Sequence, residues 1–508
     1  MAEGYWDDRG LRDGIENAAS LCADAVAVTD NRRTLTWGEL SRRVSAGVAT
    51  LRHHGISPGD PVLLIAGNSA EGLIAYHSLL RAGAMTVVMD RRCGSADLRA
   101  AMRASAAGTV IAPAGERKRM EEVLASASVM GLEHFVNANV PALRLEEWLE
   151  PDRNEVAIVL FTSGTTSGPK GVTHSINTLT SGARNMALIT ETDSDTVIFM
   201  VSPLTSITGI MQMHLAADQC AALVLEDAFE PDGSLDRLNR SGATFLGGAP
   251  VIVERLVKAA EARRGWSLSL RTLGLGGAML PRPLLERVTE EYGIKVARVY
   301  GSSEAPNATG SLPEDATQLR LADDGALMPG TEIRVGSAAH AQEGLIRGPG
   351  VFLGYLDDAN NEEAFEHDWY RTGDLVELHG NRLTVVGRLK EVVNRNGFKI
   401  SLAEIDAALL DEADAEECAS FSLPDPTTGE RLAVAVLPKP GRAVSFESVV
   451  GRLGSAGVAT RKLPEQVVIW DEPLPRTASG KIIRSRLVMD TPAKRSLLAP
   501  RLLDPAGE

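Results

Sequence analysis

The chain has 508 residues, in which 52 Lys and Arg stand against 67 Asp and Glu, so its formal net charge at pH 7 is −15. Its 44% hydrophobic and 23% charged residues are typical of a globular protein with more than one domain. Because an acidic chain repels nucleic acid and anionic membranes, we expect neither as a partner, and any phosphate must be bound at a local site of backbone amides and a few cations.

The cysteines and the N-terminus bear on the cellular compartment. Cys22, Cys93, Cys220 and Cys418 form no CxxC pair and lie near no histidine cluster, so the sequence predicts neither a disulfide framework nor a structural zinc site. The first residues lack the basic start and apolar core of a signal peptide, and no apolar run approaches the roughly 18 residues that span a bilayer. We therefore expect a cytoplasmic protein.

Strand-like and helix-like runs alternate along the first part of the chain. Apolar residues recur with helical spacing over 40–51 and 71–84, and short apolar runs typical of buried strands occupy 61–66, 85–89 and 156–161. Such a β–α–β order usually gives parallel strands joined by right-handed crossovers. The sequence therefore predicts an α/β fold.

The segment after the run at 156–161 is rich in glycine and hydroxyl residues. It reads Thr162-Ser163-Gly164-Thr165-Thr166-Ser167-Gly168-Pro169-Lys170-Gly171. Glycines let the backbone fold into an amide-lined nest for an anion, while the hydroxyls and the lysine add donors and positive charge. It is not a Walker A loop, because Gly164 and Gly168 are too close together and Pro169 intervenes. Taken alone, the pattern also fits a polar surface turn.

A candidate domain boundary follows the strand-like run at 382–386. Beyond it, Ser401 opens a helix with Glu404 three residues on, which is the spacing of a capping box. We predict a large domain over 1–389 and a small α+β domain over 390–508, which is long enough to fold around its own core.

The glycine-rich segment resembles the phosphate loop of the adenylate-forming (ANL) superfamily, which includes acyl-CoA synthetases, the adenylation domains of peptide synthetases and firefly luciferases. Further matches follow in the family's order over nearly the whole chain: Thr36-Trp37-Gly38-Glu39-Leu40, Gly59-Asp60, Gly276-Gly277-Ala278, Tyr300-Gly301-Ser302-Ser303-Glu304, Gly354-Tyr355, Tyr370-Arg371-Thr372-Gly373-Asp374-Leu375, Gly387-Arg388-Leu389-Lys390 and Pro475-Arg476-Thr477-Ala478-Ser479-Gly480-Lys481. This ordered set is far more specific than any single match. The resemblance implies a large N-terminal domain, made of two βαβ-type sheets and a distorted barrel, and a small mobile α+β C-terminal domain.

The resemblance to the acyl-CoA synthetase branch implies an AMP-forming acyl-CoA ligase. Such enzymes join a carboxylate to the α-phosphate of ATP, release pyrophosphate, and pass the acyl group from the adenylate to a thiol. The implied cofactors are ATP/AMP, Mg²⁺ and coenzyme A. Catalysis of the first step depends mainly on positioning and on neutralising charge.

A large set of residues is implied to bind the nucleotide and its phosphates. These are Thr162, Ser163, Gly164, Thr165, Thr166, Ser167, Gly168, Lys170, Gly276, Gly277, Ala278, Tyr300, Gly301, Ser302, Asp374 and Arg388. By resemblance, Tyr300 stacks on adenine, and Asp374 and Arg388 contact the ribose hydroxyls. Without the resemblance, Tyr300 would be interpreted as an ordinary core aromatic and Asp374 as a turn residue.

Three residues carry the implied catalytic roles. Glu304 is the expected Mg²⁺ ligand, since a hard cation that bridges phosphate oxygens needs a carboxylate. Ser303 matches the position that contacts the α-phosphate in relatives. Lys481 matches the lysine that bridges the attacking carboxylate and the α-phosphate.

The resemblance also implies a rotation of the small domain between the two half-reactions. Lys390 occupies the hinge position. The rotation takes Lys481 out of the site and brings Gly397, Phe398 and Lys399 beside the pantetheine tunnel for CoA.

The chain departs from the family where the acyl group should bind. Many acyl-CoA synthetases carry a histidine or an aromatic gate residue where this chain has Ser206, and a serine supplies neither bulk nor charge. We expect Ser206, Ile207 and Ile210 to line the acyl pocket. The segment has no Asp to pair with an α-amino group, which favours a non-amino carboxylic acid as substrate.

The sequence leaves several activities open. The leading one is the full reaction from acid, ATP and CoA to acyl-CoA. The alternatives are an enzyme that performs only the thioester step on preformed acyl-AMP, an enzyme that transfers the acyl group to a carrier protein, and an adenylate-binding pseudoenzyme. The sequence does not decide whether the protein forms a homodimer.

Overall fold

The computed structural model describes most of the chain, namely residues 13–124, 127–136, 152–162, 170–263, 267–276, 282–389, 391–396, 398–409, 414–476 and 481–503. Among these residues, no helix is both long and apolar enough to cross a membrane.

The strands, numbered in chain order, are β1 (Val26–Thr29), β2 (Thr34–Thr36), β3 (Pro61–Ala66), β4 (Met85–Asp90), β5 (Thr109–Ala112), β6 (Ser128–Gly131), β7 (Ile158–Thr162), β8 (Lys170–His174), β9 (Val197–Met200), β10 (Ala222–Leu225), β11 (Phe245–Gly248), β12 (Thr272–Gly276), β13 (Lys295–Tyr300), β14 (Thr309–Gly310), β15 (Ala326–Leu327), β16 (Glu332–Val335), β17 (Glu343–Arg347), β18 (Gly354–Tyr355), β19 (Phe365–Glu366), β20 (Trp369–His379), β21 (Arg382–Arg388), β22 (Val392–Arg395), β23 (Phe398–Ser401), β24 (Ala415–Asp425), β25 (Gly429–Pro438), β26 (Gln466–Ile469) and β27 (Arg495–Leu498).

The α-helices are α1 (Gly14–Cys22), α2 (Trp37–His53), α3 (Ala70–Ala82), α4 (Ser95–Ser105), α5 (Arg117–Val123), α6 (Glu133–Val136), α7 (Ile176–Thr190), α8 (Ile207–Gln219), α9 (Pro231–Arg240), α10 (Pro250–Glu261), α11 (Arg282–Glu290), α12 (Thr317–Ala322), α13 (Asn361–Ala364), α14 (Leu402–Leu409), α15 (Phe446–Ser455), α16 (Arg484–Asp490) and α17 (Pro500–Leu503).

The first sheet has the order β18-β8-β7-β4-β3-β5-β6. Strands β3 to β7 run parallel to their neighbours, and β8 and β18 close one edge in antiparallel pairs. The apolar runs predicted at 61–66 and 85–89 form β3 and β4 and pair in parallel, as the β–α–β spacing indicated. The run predicted at 156–161 appears as β7, shifted by one or two residues.

A second, larger sheet combines a parallel half with an antiparallel half. Its parallel half has the order β1-β10-β9-β11-β12-β13, with β2 antiparallel at the edge. Beyond β13 the sheet continues through β14, β15, β21, β20, β17 and β16 in antiparallel pairs. The predicted distorted barrel is therefore an antiparallel extension of this sheet. The α/β fold with a large N-terminal domain is confirmed.

The main core lies between these two sheets. Its buried apolar residues include Leu64 of β3 and Ile198 of β9, together with Tyr76 of α3 and Met211 of α8. Fully burying a side chain of this size contributes about 1.5–3 kcal/mol. The two sheets are thus held as one packed body by helices that contact both of them.

The small C-terminal domain has its own sheet and core. Strands β22 to β27 form a six-stranded sheet, whose cluster of buried residues includes Val393, Val434 and Val467. The predicted helix after Ser401 is α14, but the capping box is not formed by the two expected side chains. The Ser401 hydroxyl donates to the Val386 carbonyl at 3.4 Å, and the Glu404 carboxylate accepts from Lys462 at 2.6 Å. The boundary at 389/390 stays a prediction.

Candidate active site

Three predicted site residues, carried by three strands of the larger sheet, meet at one place. Tyr300 ends β13, and Asp374 in β20 lies directly opposite Arg388, the last residue of β21. Because the sheet continues unbroken from β13 to β20, residues that are 74 positions apart come within hydrogen-bonding reach. The sheet topology thus assembles the centre of the site.

Asp374 is the most buried charged group of this centre, with only 3% of its surface exposed. The Tyr300 phenol donates to Asp374 Oδ2 at 2.8 Å, and Arg388 Nε lies 2.8 Å from Oδ1. Burial raises the pKa of the Asp374 carboxyl, and the positive charge of Arg388 opposes that rise. Oδ1 is inaccessible to solvent, and its partner is the Arg388 guanidinium.

A tight turn after β13 carries the next predicted residues. The Ser302 hydroxyl accepts from the backbone N–H groups of Glu304 at 3.2 Å and Ala305 at 3.3 Å. A Cβ at Gly301 would lie 2.6 Å from the Ala305 carbonyl and from the Asn307 amide, which real Cβ atoms do not tolerate. Gly301 is therefore required for the turn, and the turn fixes the direction of Glu304.

His174, which the sequence analysis did not single out, holds this turn from the other sheet. Its Nε2–H donates to the Ser303 carbonyl at 2.7 Å, and its Nδ1 lies 2.9 Å from the Thr178 hydroxyl. Burial lowers the pKa of His174 to about 4, so the ring is neutral near pH 7. A neutral ring with one fixed N–H is a stable donor to Ser303.

Glu304 is contacted by Tyr355, a residue to which the sequence analysis assigned no role. The Tyr355 phenol donates to Glu304 Oε1 at 2.8 Å, and Lys170 Nζ lies 4.9 Å from the centre of the Tyr355 ring. Burial and the Glu304 charge raise the pKa of the Tyr355 phenol, so it remains a donor throughout the neutral range. Gly354-Tyr355 matched the family pattern, and that match was the only sequence signal for this residue.

Lys481 brings a charge from the small domain to the same centre. Desolvation and the neighbouring Arg388 lower the pKa of Lys481, against the opposite effect of Asp374, Glu391 and Glu304. The residue is nevertheless exposed to solvent. The charges of Arg388, Asp374, Glu391 and Glu304 thus act on an ammonium that still reaches solvent. Four predicted residues, Asp374, Arg388, Glu304 and Lys481, therefore share one electrostatic environment.

The predicted acyl-pocket residues lie around the start of α8. The Ser206 hydroxyl caps this helix, accepting from Gly209 N–H at 3.2 Å and donating to the Pro203 carbonyl at 2.7 Å. Ile207 is half-buried, whereas Ile210 is fully buried in the main core. The hydroxyl at the gate position is thus already engaged by the backbone, and the full burial of Ile210 favours a packing role. The pocket assignment stays a prediction.

One buried asparagine fixes the loop that precedes Ser206. Asn68 Nδ2 donates to the carbonyls of Ser202 at 3.0 Å and Glu226 at 2.9 Å, and Asn68 Oδ1 accepts from Leu204 N–H at 2.7 Å. The position of the gate is therefore set by the core of the large domain.

Several predicted residues lie outside the described part of the chain: Ser163, Gly164, Thr165, Thr166, Ser167, Gly168, Gly277, Ala278, Lys390 and Gly397, together with the side chains of Thr162 and Lys399. Gly276 is described, and a Cβ there would collide with the Val299 carbonyl of the neighbouring strand. Phe398 lies in the small domain, with the Arg461 guanidinium 4.3 Å above its ring.

Comparison with known proteins gives consistent matches along the chain. The family of AMP-binding enzymes matches residues 15–356, and the AMP-binding enzyme C-terminal domain matches residues 404–481. The chain is 30% identical to a salicylyl-CoA synthase / salicylate adenylyltransferase from Streptomyces sp, covering 95% of this chain and 94% of that protein. It is 29% identical to a medium-chain fatty-acid–CoA ligase from Escherichia coli (strain K12), covering 96% and 91%.

The fold is shared with solved structures. The chain superposes on o-succinylbenzoate CoA synthetase from Bacillus subtilis, solved in complex with an acyl-adenylate intermediate, with a TM-score of 0.84 and 23% identity. The match covers 95% of this chain and 98% of that one. At this level of identity the similarity bears on the fold alone.

Proposed function

The chain belongs to the family of AMP-binding enzymes, and from this premise we propose that it is an AMP-forming acid–thiol ligase. It activates a carboxylic acid with ATP to an acyl-adenylate and pyrophosphate, and then transfers the acyl group to CoA. The acid itself is open, because one similar protein is named for an aromatic acid and another for fatty acids. We propose a non-amino acid, since the segment around Ser206 offers no carboxylate to pair with an ammonium.

One observation carries this proposal above the alternatives. Lys481, from the small domain, interacts electrostatically with Asp374 and Glu304 of the large domain. Asp374 is suited to bind a ribose, and Glu304 is suited to bind a metal ion together with its phosphates. An ammonium close to both can neutralise the negative charge that develops when a carboxylate attacks phosphorus. This arrangement favours an enzyme that performs adenylation over one that performs only the thioester step, and it argues against a pseudoenzyme.

We assign the nucleotide contacts to the centre on the larger sheet. Asp374 would accept hydrogen bonds from the ribose hydroxyls, a role supported by its match to the family's Thr-Gly-Asp segment and by its position beside Tyr300. Arg388 keeps the carboxylate ionised and oriented, while Tyr300 holds the second oxygen. Tyr300 would present its ring to the adenine from the end of β13.

Glu304 is suited to a shared metal site. The described residues contain no cluster of three or more His, Cys, Asp or Glu side chains that could hold a metal by themselves. Mg²⁺ in nucleotide sites commonly takes one or two carboxylates and completes its shell with phosphate oxygens and water, so the single carboxylate of Glu304 fits. When bound, Mg²⁺ neutralises phosphate charge, and the task of this chain is to hold Glu304 in place.

We propose CoA as the acceptor, with a carrier protein as the alternative. Phe398 of the small domain lies under a guanidinium and would face the pantetheine after a rotation of that domain. We also retain the cytoplasm as the proposed compartment, on the basis of the cysteines, which form no disulfide among the described residues.

The decisive experiment is pyrophosphate exchange into ATP against a panel of aromatic and aliphatic carboxylic acids, repeated with CoA and with a phosphopantetheinylated carrier protein. We expect acid-dependent exchange and acyl-CoA formation. If acyl-CoA forms only from supplied acyl-AMP, the protein performs only the thioester step. If the acyl group is transferred to the carrier protein but not to CoA, the carrier protein is the acceptor. The absence of turnover with every substrate would contradict the proposal.

Replacing Asp374 with asparagine is expected to weaken AMP binding by roughly 10- to 100-fold, the cost of losing hydrogen bonds to a charged group. Since burial raises the pKa of this carboxyl, its ionised form destabilises the fold above that pKa, and a neutral amide removes this penalty. The amide also loses the ion pair with Arg388, whose pKa the Asp374 charge raises, so the two effects oppose each other and the unfolding temperature should change little. Calorimetric titration with AMP and thermal unfolding at pH 7 test both parts, with Asp368→Asn, at an exposed carboxylate, as the control.

The pH dependence of adenylation should report Lys481. Its pKa lies below the ordinary lysine value of 10.5, so in the free enzyme the ammonium loses its proton earlier as the pH rises. We expect kcat/KM for the acid to fall on the alkaline side before an ordinary lysine would titrate. In the Lys481→Arg variant, residual activity should lack this alkaline decline, because a guanidinium stays charged. An unchanged decline would assign it to another group.

A further inference from the structure

Tyr355 lies between Lys170 and Glu304, the residues predicted to contact the phosphates and the metal. It is the second residue of β18, which pairs with β8 through Tyr355 and Val172, and Lys170 is the first residue of β8. Its backbone is fixed on both sides by one side chain, since Asn361 Oδ1 accepts from Tyr355 N–H at 2.7 Å and Asn361 Nδ2 donates to the Tyr355 carbonyl at 3.2 Å. The strand pair therefore sets the position of the ring relative to Lys170.

The ring itself is held by aromatic packing. Phe352 packs edge-on against Tyr355 with the ring centres 5.0 Å apart, and Phe352 also contacts Phe365 and Tyr370. The Phe352 N–H donates to the Glu304 carbonyl at 2.7 Å, so the same cluster fixes the backbone of Glu304. Both ends of the Tyr355–Glu304 contact are thus anchored before any ligand binds.

The side chain of Tyr355 contacts two groups of opposite charge. Its hydroxyl donates to Glu304 Oε1 at 2.8 Å, because a carboxylate can only accept, and the Lys170 ammonium lies 4.9 Å from the ring centre. The face of an aromatic ring attracts a cation within about 6 Å, and the phenol edge attracts an anion. A single residue therefore orients one cation and one anion.

We propose that Tyr355 is a positioning residue that aligns Glu304 with Lys170 for the metal–triphosphate unit of ATP. This inference rests on the proposed function, since it takes Lys170 as a phosphate contact and Glu304 as the metal ligand. A fixed carboxylate and a fixed ammonium lower the ordering cost when the charged ligand binds. The role is specific to the triphosphate and its metal, so it leaves the contacts to AMP at Asp374 intact.

The test separates the hydroxyl from the ring. Tyr355→Phe removes the hydrogen bond to Glu304 and keeps the ring under Lys170, whereas Tyr355→Leu removes both. We expect Tyr355→Phe to weaken MgATP binding about tenfold, the scale for one hydrogen bond to a charged group, and Tyr355→Leu to weaken it a further threefold or more. Binding of AMP in the presence of EDTA should stay within about twofold of wild type, because the AMP contacts do not involve Tyr355.

Calorimetric titration with MgATP and with AMP in EDTA measures these affinities without turnover. In steady-state adenylation, KM for ATP should rise in Tyr355→Phe while KM for the acid stays unchanged. Tyr292→Phe, a half-buried tyrosine packed against another core cluster, is the matched control. If Tyr355 acts through Glu304, the phenylalanine substitution should have no further effect in a Glu304→Gln background.

The outcomes separate this inference from the proposed function. Wild-type MgATP affinity in Tyr355→Phe would overturn the inference alone, as would an equal loss of affinity for AMP and MgATP, which would indicate a general structural role. Additive effects of Tyr355→Phe and Glu304→Gln would also overturn it. Failure of the wild-type protein to bind either nucleotide would overturn the proposed function and this inference with it.

Discussion

Replacing Lys481 with alanine is expected to lower the adenylation rate by roughly 10²–10³, the scale for losing one essential electrostatic donor. Lys481 comes from the small domain and shares the electrostatic environment of Asp374 and Glu304. Where the carboxylate attacks the α-phosphate, negative charge builds up, and a compact ammonium stabilises it without a change in geometry. Acid-dependent pyrophosphate exchange measures this step directly.

The same variant should retain the second half-reaction. When acyl-AMP and CoA are supplied, acyl-CoA should form at a rate near that of wild type, because the proposed role of Lys481 is confined to adenylation. Lys439→Ala, at an exposed lysine of the same domain, is the matched control and should leave both steps unchanged. Pyrophosphate exchange that survives in Lys481→Ala would remove the catalytic assignment, and equal losses in both steps would indicate misfolding of the small domain.

The structure also shows which features a sequence can predict. Strands β3 and β4 were predicted within one residue because a fully buried parallel strand is a continuous apolar run. The segment from Thr36 to Glu39, which matched the family pattern, forms a capping box at the start of α2. Each of the two side chains accepts a hydrogen bond from the backbone N–H of the other residue, so this segment has a structural role. Both features depend on residues that are close together in the sequence, so they can be predicted from it.

The contacts that were missed join residues far apart in the chain. His174 and Ser303 are 129 positions apart, and Glu304 and Tyr355 are 51 apart, so no local pattern reveals either pair. The capping box at Ser401 failed for a related reason, since Lys462 of the folded domain binds Glu404 instead. Ser206 illustrates both cases. The sequence alone shows that this residue lacks bulk, whereas only the folded structure shows that its hydroxyl caps α8.

Hydrogen bonds anchor the chain within each domain on either side of position 390, and two further hydrogen bonds cross this position. On the large-domain side, the Leu389 N–H donates to the Gly373 carbonyl at 2.8 Å. On the small-domain side, the Leu402 N–H donates to the Glu391 carbonyl at 3.0 Å, and the Glu391 carboxylate pairs with Arg484 at 2.9 Å. Lys390 itself lies outside the described residues. The Glu391 N–H also donates to the Arg388 carbonyl at 3.0 Å, and the Ser401 hydroxyl donates to the Val386 carbonyl at 3.4 Å. A rotation about this position would break these two crossing bonds and leave the other anchors intact, which is compatible with its proposed role as the hinge.

Replacing Lys390 with proline is expected to abolish acyl-CoA formation while sparing acid-dependent pyrophosphate exchange. A pyrrolidine ring fixes φ near −65° and restricts the preceding residue, so the backbone can no longer make the large change that domain rotation requires. Lys390→Ala removes the same side chain but keeps the backbone free, and both half-reactions should continue in that variant. Accumulation of enzyme-bound acyl-AMP in Lys390→Pro, seen in a single-turnover experiment with CoA present, would identify the blocked step. Equal loss of exchange and thioester formation would contradict a hinge at this position, since a hinge that is locked in the present arrangement keeps Lys481 beside Asp374 and so preserves adenylation.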